Sequence, residues 1–342
     1  MKVLFVCSGA RNGECSAAVS GQARALEKQG LSVSFFRVSS GGLPGYIGSI
    51  PRLRQTLKRQ SYDVVHAHYG LSGIMAALSG AGPLIVSLMG SDVLGSFWLR
   101  WLMRFFAAFV WPVTIVKSQS MADVLKAGRP VIIPNGVDLS LFVEMPREEA
   151  RENAGFTSSK VVLWPADPRR RVKDVELARS VMEVLARSGC HLEIVTGKPL
   201  EEMPVFYNAA DVVLLTSRYE GSPNVVKEAL ACNVPVVSTP VGDVKKWLSN
   251  LSGCRVCPAN PAELAKGVAL AIDAGGWCNG RQRVKEVDDD KIVEKILGLY
   301  RERIKSFRKR NPVWKSRRQK DTVRKLFKGS HRKYTANAGS RK

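Results

Sequence analysis

Short runs of β-branched and other apolar residues, bounded by polar residues or glycine, recur along this chain with helix-like segments between them. This alternation is typical of parallel sheets built from strand-helix-strand units. The runs form two sets, which are 3–7, 33–38, 63–68, 84–89, 113–117 and 131–134, then 161–165, 192–196, 211–216, 235–239 and 255–257. The sequence therefore predicts an α/β fold with two doubly wound, Rossmann-like parallel-sheet domains.

The chain has 342 residues, 45% of them hydrophobic, which is enough for two domains that each have a core. Because residues 139–160 show no strand pattern, we assign 1–143 to an N-terminal domain and 144–304 to a C-terminal domain whose last helix packs back on the first. The remaining segment, 305–342, contains 15 Lys or Arg and one acid, so +14 of the net charge of +22 lies there. We expect this basic tail to be disordered in isolation, because it has too little apolar surface for a core.

Several classes of protein are excluded by the apolar stretches and the cysteines. The five-residue apolar run at the amino terminus is too short for a signal peptide, and residues 97–113 are fewer than the roughly 20 apolar residues of a spanning helix. Seven cysteines without an export signal predict reduced thiols in the cytosol. Cys254 and Cys257 have zinc-like spacing, but no second pair follows at a useful distance, so we expect no metal site.

Polar residues and glycines follow most of the predicted strands, where ligands gather in doubly wound sheets and in the cleft between two such domains. These positions are 8–9, 12–13, 66, 68, 90–92, 117–118, 135–138, 167–173, 197–198, 217–220 and 239–243. The loop after the first strand lacks the Gly-x-Gly-x-x-Gly spacing of a dinucleotide site, so no nicotinamide cofactor is indicated. As candidate acceptor-side residues of the N-terminal domain we name Gly9, Asn12, Gly13, His68 and Asn135.

Four cations and two acids of the second domain are candidates for binding a long anionic ligand. Arg169, Arg170, Arg171 and Lys173 precede a helical segment and suit a diphosphate, although a solvated surface loop is the alternative. Glu220 and Glu228 lie on either side of a Gly-Ser-Pro-Asn turn. On one helix they would be about 12 Å apart, farther than the acid pair of a glycosidase.

The positions of the two acids follow from the turn between them. Pro223 suits a first helical turn and Ser222 a helix cap, which places Glu220 in a loop and Glu228 in the helix. The acids then suit two ends of a nucleotide sugar, Glu220 near the sugar and Glu228 near the ribose. A solvated helix face is the alternative.

Four motifs in order make the resemblance to a known family specific. Residues 217–221 with Glu228-Ala-Leu and Pro235-Val-Val resemble the Glu-x7-Glu signature of glycosyltransferase family 4, which are retaining transferases of GT-B fold. Residues 63–68, 134–138 and 207–217 resemble the same family's third strand, its domain junction and the segment before the signature. The resemblance covers roughly residues 1–305.

The resemblance implies a retaining hexosyltransferase that moves a sugar from a nucleotide-diphosphate sugar to a glycan or lipid-linked acceptor, as in the teichuronic-acid-type branch of cell-envelope polysaccharide synthesis. No metal or other cofactor is implied, because cations stabilise the departing diphosphate. The candidate catalytic residues are Glu220, Asp92 and His66. The candidate donor-binding residues are Glu228, Arg169, Arg170, Arg171, Lys173, Gly197, Ser222, Pro223, Asn224 and Val225.

The roles of the N-terminal candidates carry alternatives. Asp92 follows a glycine at a strand end, whereas for His66 and His68 we expect one ring to face the cleft and the other to point to the opposite face, with simple packing as the alternative. The chain departs from the family at Met89, where a His is common before the glycine, and at 221–224, where Gly-Ser-Pro-Asn replaces Gly-Phe-Gly.

Two further segments and the tail predict a polyanionic partner. The aromatic and Arg-containing run 97–106 and the basic run 52–59 can lie on an anionic leaflet, with ordinary sheet-covering helices as the alternative. For the tail we favour anionic lipid over nucleic acid. We therefore expect a cytoplasmic protein, peripheral on the inner face of the cytoplasmic membrane. A non-catalytic polyanion-binding protein on a GT-B scaffold and a sugar-nucleotide epimerase are the competing functions.

Overall fold

The computed structural model describes residues 1–9, 15–38 and 42–312, and these form two parallel sheets. The first has the order β2-β1-β3-β4-β5-β6 and contains β1 (Lys2–Ser8), β2 (Ser32–Val38), β3 (Val64–His68), β4 (Leu84–Ser87), β5 (Thr114–Val116) and β6 (Val131–Ile132). The second has the order β11-β10-β9-β7-β8 and contains β7 (Lys160–Trp164), β8 (Cys190–Ile194), β9 (Val212–Leu215), β10 (Val236–Ser238) and β11 (Arg255–Val256). Every predicted run contains a strand, and the predicted α/β fold is confirmed.

Helices connect consecutive strands and cover both faces of each sheet. The first half contains α1 (Ala17–Lys28), α2 (Gly42–Arg59), α3 (Gly70–Leu78), α4 (Ser91–Leu94), α5 (Phe97–Phe109) and α6 (Gln119–Leu125). The second half contains α7 (Arg147–Ala154), α8 (Val175–Val184), α9 (Met203–Ala209), α10 (Asn224–Ala231), α11 (Val244–Leu248), α12 (Pro261–Asp273), α13 (Gly280–Val284) and α14 (Asp289–Arg310).

The side chains of the first sheet alternate between two hydrophobic clusters, as the pleat of a strand requires. Phe5 of β1 packs in one cluster with Leu26 of α1 and Tyr300 of α14. Val6, the next residue, packs in the other cluster with residues of α2, α3 and α5, among them Met103. One face of the sheet is thus covered by α1 and α14, and the other by the layer of α2, α3, α5 and α6.

The last helix crosses from the second sheet back to the first. α14 begins at Asp289, within the acidic run 288–290, and Ile296, Tyr300 and Ile304 are buried along it. The helix continues to Arg310, so residues 305–310 are helical and the predicted tail begins later than 305. Residues 313–342, the rest of that tail, lie outside the described residues.

The two histidines of β3 point to the same face of the sheet, and the expectation of opposite faces was wrong. Residues i and i+2 of a strand share a face, and the rings of His66 and His68 lie 4.3 Å apart. His66 is fully buried between Ser87 Oγ, 2.8 Å from Nε2, and Tyr300 Oη, 2.7 Å from Nδ1. Burial lowers the pKa of His66 to about 3, so the ring is neutral and ties α14 to the sheet.

The cysteines differ from the expectation in one pair. Cys7, in β1, and Cys15, just before α1, are joined by a disulfide across residues 10–14, which lie outside the described ranges. The expectation of reduced thiols throughout the chain therefore fails for this pair. The other cysteines, Cys190, Cys232, Cys254, Cys257 and Cys278, are free thiols.

We predict that Tyr300→Phe destabilises the protein by about 1–3 kcal/mol, because it leaves a buried nitrogen of His66 without a hydrogen-bond partner. Urea denaturation followed by circular dichroism measures the change. As a control, Tyr62→Phe removes a hydroxyl bonded to the amide oxygen of Gln60, which is exposed, and its cost should stay within about 0.5 kcal/mol. Equal stabilities for wild type and Tyr300→Phe would show that this contact does not hold α14.

Candidate active site

Two glycine-containing loops, one from each sheet, meet where the carboxyl ends of the strands face one another. Gly90 follows β4 and Gly221 follows β9. A Cβ atom on Gly90 would lie 3.0 Å from the backbone nitrogen of Gly221, and one on Gly221 would lie 2.8 Å from Sδ of Met121. Because there is no room for a side chain at either position, the backbone of one domain touches that of the other.

Glu220, next to Gly221, is held by two side chains. Its Oε1 accepts hydrogen bonds from Lys173 Nζ at 2.5 Å and from Ser217 Oγ at 2.9 Å. The side chains of Lys173 and Glu220 are only 12% and 19% exposed. The structure therefore joins two predicted site residues, one after β7 and one after β9, in a partly desolvated ion pair beside the domain contact.

The three arginines before Lys173 lie in different surroundings. Arg169 is directed away, because its guanidinium binds Asp167 and its side chain is 74% exposed. Arg170 lines a cavity of about 480 Å³ together with Ser8, Tyr69 and His68 of the N-terminal domain. Arg171 is exposed and begins a single 3-10 turn. Of the three, Arg170 is therefore the one that borders the cleft.

Glu228 lies one turn into α10, as the turn chemistry predicted, and is nearly buried. Its Oε2 accepts a hydrogen bond from Tyr207 Oη at 2.7 Å. Burial raises the pKa of Glu228, while the bond from Tyr207 and the charge of Lys227 oppose that rise. Glu228 and Asn224 line a small cavity of about 40 Å³ that also contacts α1 and Leu200.

The residues between the two acids organise the loop and the domain junction. The expectation that Ser222 caps the helix was wrong: α10 begins at Asn224, after Pro223, and Ser222 Oγ instead donates to Asp243 Oδ2 at 2.7 Å. Asn224 Oδ1 accepts from Asn135 Nδ2 at 3.0 Å, which brings two predicted site residues from the two domains together. Val225 is half-buried against the core.

Other predicted residues lie farther from this ion pair or act on its surroundings. Asp92 is fully buried, and its oxygens accept from the backbone N–H groups of Gly70, Met89 and Gly90. Burial raises the pKa of this carboxyl. Its hydrogen bonds to Met89 and Gly90 order the loop that carries Gly90. Gly197 is exposed at the end of β8 with a φ of +72°.

The predicted loop after β1 is described only in part. The backbone N–H of Gly9 donates to Val38 O at 3.0 Å, which continues the pairing of β1 with β2. Asn12 and Gly13 lie outside the described residues. His68 borders the cavity that Arg170 lines, and among the described residues neither of its ring nitrogens has a hydrogen-bond partner.

Two buried lysines were not among the predicted site residues. Lys227 Nζ donates to Asn135 O at 3.0 Å, and burial lowers its pKa to about 8. Lys117 directly follows β5, and burial, followed by the charge of Lys227, lowers its pKa to about 7. The sequence placed Lys117 on the rim of strand ends, and a charged residue directly after a buried strand is the signal that identifies it.

Within 1–9, 15–38 and 42–312, no three His, Cys, Asp or Glu side chains are grouped as metal ligands would be. Over the same ranges, none of the helices has the length and apolarity to span a bilayer.

Two family profiles match the chain on either side of the cleft. The profile described as Glycosyltransferase Family 4 matches residues 4–141, and that described as Glycosyl transferases group 1 matches residues 170–273. The chain therefore carries a glycosyltransferase family 4 domain at residues 4–141 and a group 1 glycosyltransferase domain at residues 170–273. The predicted signature residues, Glu220 and Glu228, fall inside the second match.

Curated relatives share the sequence of this chain at moderate identity. TuaC of Bacillus subtilis, named for teichuronic acid biosynthesis and as a glycosyltransferase, is 29% identical over 63% of each chain, so the match spans less than two thirds of that relative. D-inositol 3-phosphate glycosyltransferase 1 of Catenulispora acidiphila is 26% identical over 80% of each chain.

Solved structures confirm the predicted GT-B fold. Sucrose-phosphate synthase from Thermosynechococcus elongatus superposes with a TM-score of 0.71 at 18% identity, covering 88% of this chain and 98% of that one. Anabaena Alr3699/HepE, solved in complex with UDP and glucose, superposes with a TM-score of 0.67 at 17% identity, covering 87% and 99%.

We predict that Lys117 makes stability depend on pH. Because its pKa is about 7 in the folded protein against 10.5 ordinarily, the unfolded chain binds more protons between these values. The contribution of Lys117 to stability therefore rises with pH across that window. Wild type should gain stability relative to Lys117→Met between pH 7 and pH 9.5, as measured by urea denaturation. As a control, Lys245→Met replaces an exposed lysine of α11, and its free energy of unfolding should change with pH as that of wild type does. If the free energy of unfolding of Lys117→Met also changes with pH as that of wild type does, the prediction is wrong.

Proposed function

We propose that this protein is a retaining glycosyltransferase that moves a hexose from a nucleotide-diphosphate sugar to a glycan or lipid-linked acceptor. The ion pair of Lys173 and Glu220, held beside the contact between the two domains, carries the proposal. The names of TuaC and of the D-inositol 3-phosphate glycosyltransferase support sugar transfer, that of TuaC supports a role in polysaccharide synthesis of the cell envelope, and the UDP complex of HepE supports a nucleotide donor. We place the reaction in the cytoplasm, with an anionic membrane as the partner of the basic carboxyl-terminal residues.

The leaving diphosphate is the group that gains negative charge as the glycosidic bond breaks. Lys173 and Arg170 supply fixed cations near it, and the first turn of α10 supplies backbone N–H groups that have no acceptor within the helix. Such groups stabilise the transition state more than the ground state, because the charge develops only as the bond breaks. No metal or other cofactor is part of this proposal, since the cations do that work.

Glu220 would stabilise the positive charge that develops on the sugar. The sugar carbon becomes cationic as the bond breaks, and the carboxylate of Glu220, fixed by Ser217 and Lys173, is positioned to stabilise it. The ion pair places the negative charge of Glu220 next to the positive charge of Lys173. The sugar would lie at the carboxylate and the diphosphate at the ammonium.

Glu228 would bind the ribose end of the donor. Tyr207 holds Oε2, which leaves Oε1 to accept bonds from the two ribose hydroxyls. The cavity beside Glu228 has a volume of only about 40 Å³, whereas small-molecule sites usually measure about 300–1,000 Å³. Donor binding therefore requires the two domains to separate and close again around the ligand.

We predict that one of UDP, GDP and ADP raises the melting temperature of the wild type, with a stabilisation of about 2.7 kcal/mol at a ligand concentration of 100 Kd. Lys173→Ala and Arg170→Ala should lose most of the shift. Arg169→Ala is the matched control and should keep it, because its guanidinium is turned to Asp167. No shift from any of the three in folded wild type would refute the donor site and favour the polyanion-binding function.

We predict that Glu220→Gln lowers kcat by about 10²–10³-fold, while the nucleotide-induced melting shift persists. Steady-state assays with the donor identified by the melting experiment measure kcat, and NMR of the first-formed product gives the anomeric configuration. Retention supports the mechanism proposed here. An inverted product, or an unchanged kcat for Glu220→Gln, would overturn it.

A further inference from the structure

The solvent side of α5 is covered by aromatic rings. Five of its aromatic residues are exposed, namely Phe97 (66%), Trp98 (77%), Trp101 (57%), Phe105 (45%) and Phe109 (78%). At about 100° per residue these positions fall within an arc of about 120° on the helix. Ala108 is the other exposed residue of that arc, so the outward face of α5 carries no polar side chain.

The two arginines of α5 are turned towards the protein. Arg100 Nε donates to Val93 O at 2.9 Å. Arg104 donates to Leu125 O at 2.9 Å and to Val124 O at 2.8 Å. A surface helix normally directs its charges to water and its apolar residues to the core. In α5 both arginines instead donate to backbone carbonyl groups of the protein.

The exposed rings form a continuous surface. Trp101 and Phe105 are stacked with centroids 6.4 Å apart, and Phe105 and Phe109 lie 5.4 Å apart. Phe97 and Trp98 are in edge contact at 6.0 Å. Contiguous apolar patches on a protein surface mark sites of contact with another molecule or with a membrane. Trp in particular is enriched at the boundary between lipid headgroups and acyl chains.

The helix layer that contains α5 is basic. Its other helices, α2, α3 and α6, contain four Lys or Arg and one acid, Asp123. Lys126 and Arg129 follow α6 and are exposed, and Gly128 between them lies against the backbone of Ala107 in α5. The last turn of α2 adds Lys58 and Arg59, both exposed. This charge distribution complements an anionic surface.

We propose that the aromatic face of α5 inserts into the headgroup region of an anionic bilayer, with the surrounding cations contacting the headgroups. A bilayer fits better than a protein partner because the residues of the outward arc carry no charge that would orient a protein, whereas aromatic rings with a cationic border match an interfacial helix. This surface lies within the described residues, at positions of α5, and differs in sequence from the basic tail of residues 305–342.

The position of α5 gives the docking a consequence for the reaction. α5 begins seven residues after Gly90, which touches the second domain at the candidate active site. Insertion of Phe97 and Trp98 would hold that edge of the cleft at the membrane surface, where a lipid-linked acceptor presents its sugar. This consequence rests on the proposed function, but the docking itself does not.

The test is co-flotation of the full chain with vesicles of phosphatidylcholine containing about 30% phosphatidylglycerol. Wild type should float with these vesicles, and the double variant Trp98→Ala/Trp101→Ala should partition at least tenfold less. Trp277→Ala is the matched control, because Trp277 is 51% exposed on the second domain, and it should float like wild type. Lipids brominated on the acyl chains should quench wild-type fluorescence more than that of the double variant.

Three results would overturn the docking proposal. They are failure of wild type to float, equal flotation of wild type and the double variant, and a dimer of wild type in sedimentation velocity that the double variant abolishes. The last result would assign the face to a second copy of this chain. Nucleotide-induced melting shifts of the double variant should equal those of wild type, so failure of the docking and failure of the donor site are read separately.

Discussion

The candidate active site depends on the close approach of backbone to backbone at Gly90 and Gly221. A third glycine extends this contact, since a Cβ on Gly242 would lie 2.8 Å from the carbonyl oxygen of Gly221. With φ values of +124° at Gly90 and +55° at Gly242, the loops adopt conformations that side chains other than hydrogen disfavour. Glu220 is therefore fixed against the first domain by its neighbour in sequence, and the site is composed of both sheets.

Burial of several ionisable groups around this contact costs free energy that only their partners offset. Asp92 accepts bonds from three backbone N–H groups, Glu228 accepts one from Tyr207, and Lys227 donates to the carbonyl of Asn135. Lys117 lies near Lys227, which disfavours its charged form further. The charge of Asp92 favours the charged form of Lys117, and the charges of Asp243 and Glu228 favour that of Lys227, so neighbouring carboxylates offset part of the cost.

The sequence predicted what is local and missed what depends on tertiary direction. The strands followed from β-branched runs, and the positions of Glu220 and Glu228 followed from Pro223. Ser222 was predicted to cap α10 because a serine side chain suits that position. In the structure its hydroxyl instead donates a hydrogen bond to Asp243, which is distant in sequence. The error for His66 and His68 was different, because the strand period itself places residues two apart on one face. That Lys173 reaches Glu220 could be expected only from the family resemblance.

Which face of α5 is buried depends on tertiary packing and not on the local sequence. Arg100 and Arg104 lie four residues apart on one face, which periodicity alone would turn to solvent. The structure instead buries Met103 and Ala107 on that face and leaves the aromatic arc outside. Electrostatic attraction of a basic tail brings a protein to a membrane but does not orient it, and salt weakens it because the Debye length is about 8 Å at physiological ionic strength. Burial of aromatic rings is not screened and has a fixed direction relative to the fold. A protein that must hold its cleft towards a membrane-bound acceptor needs this second kind of contact, and α5 places it next to the loop that carries Gly90.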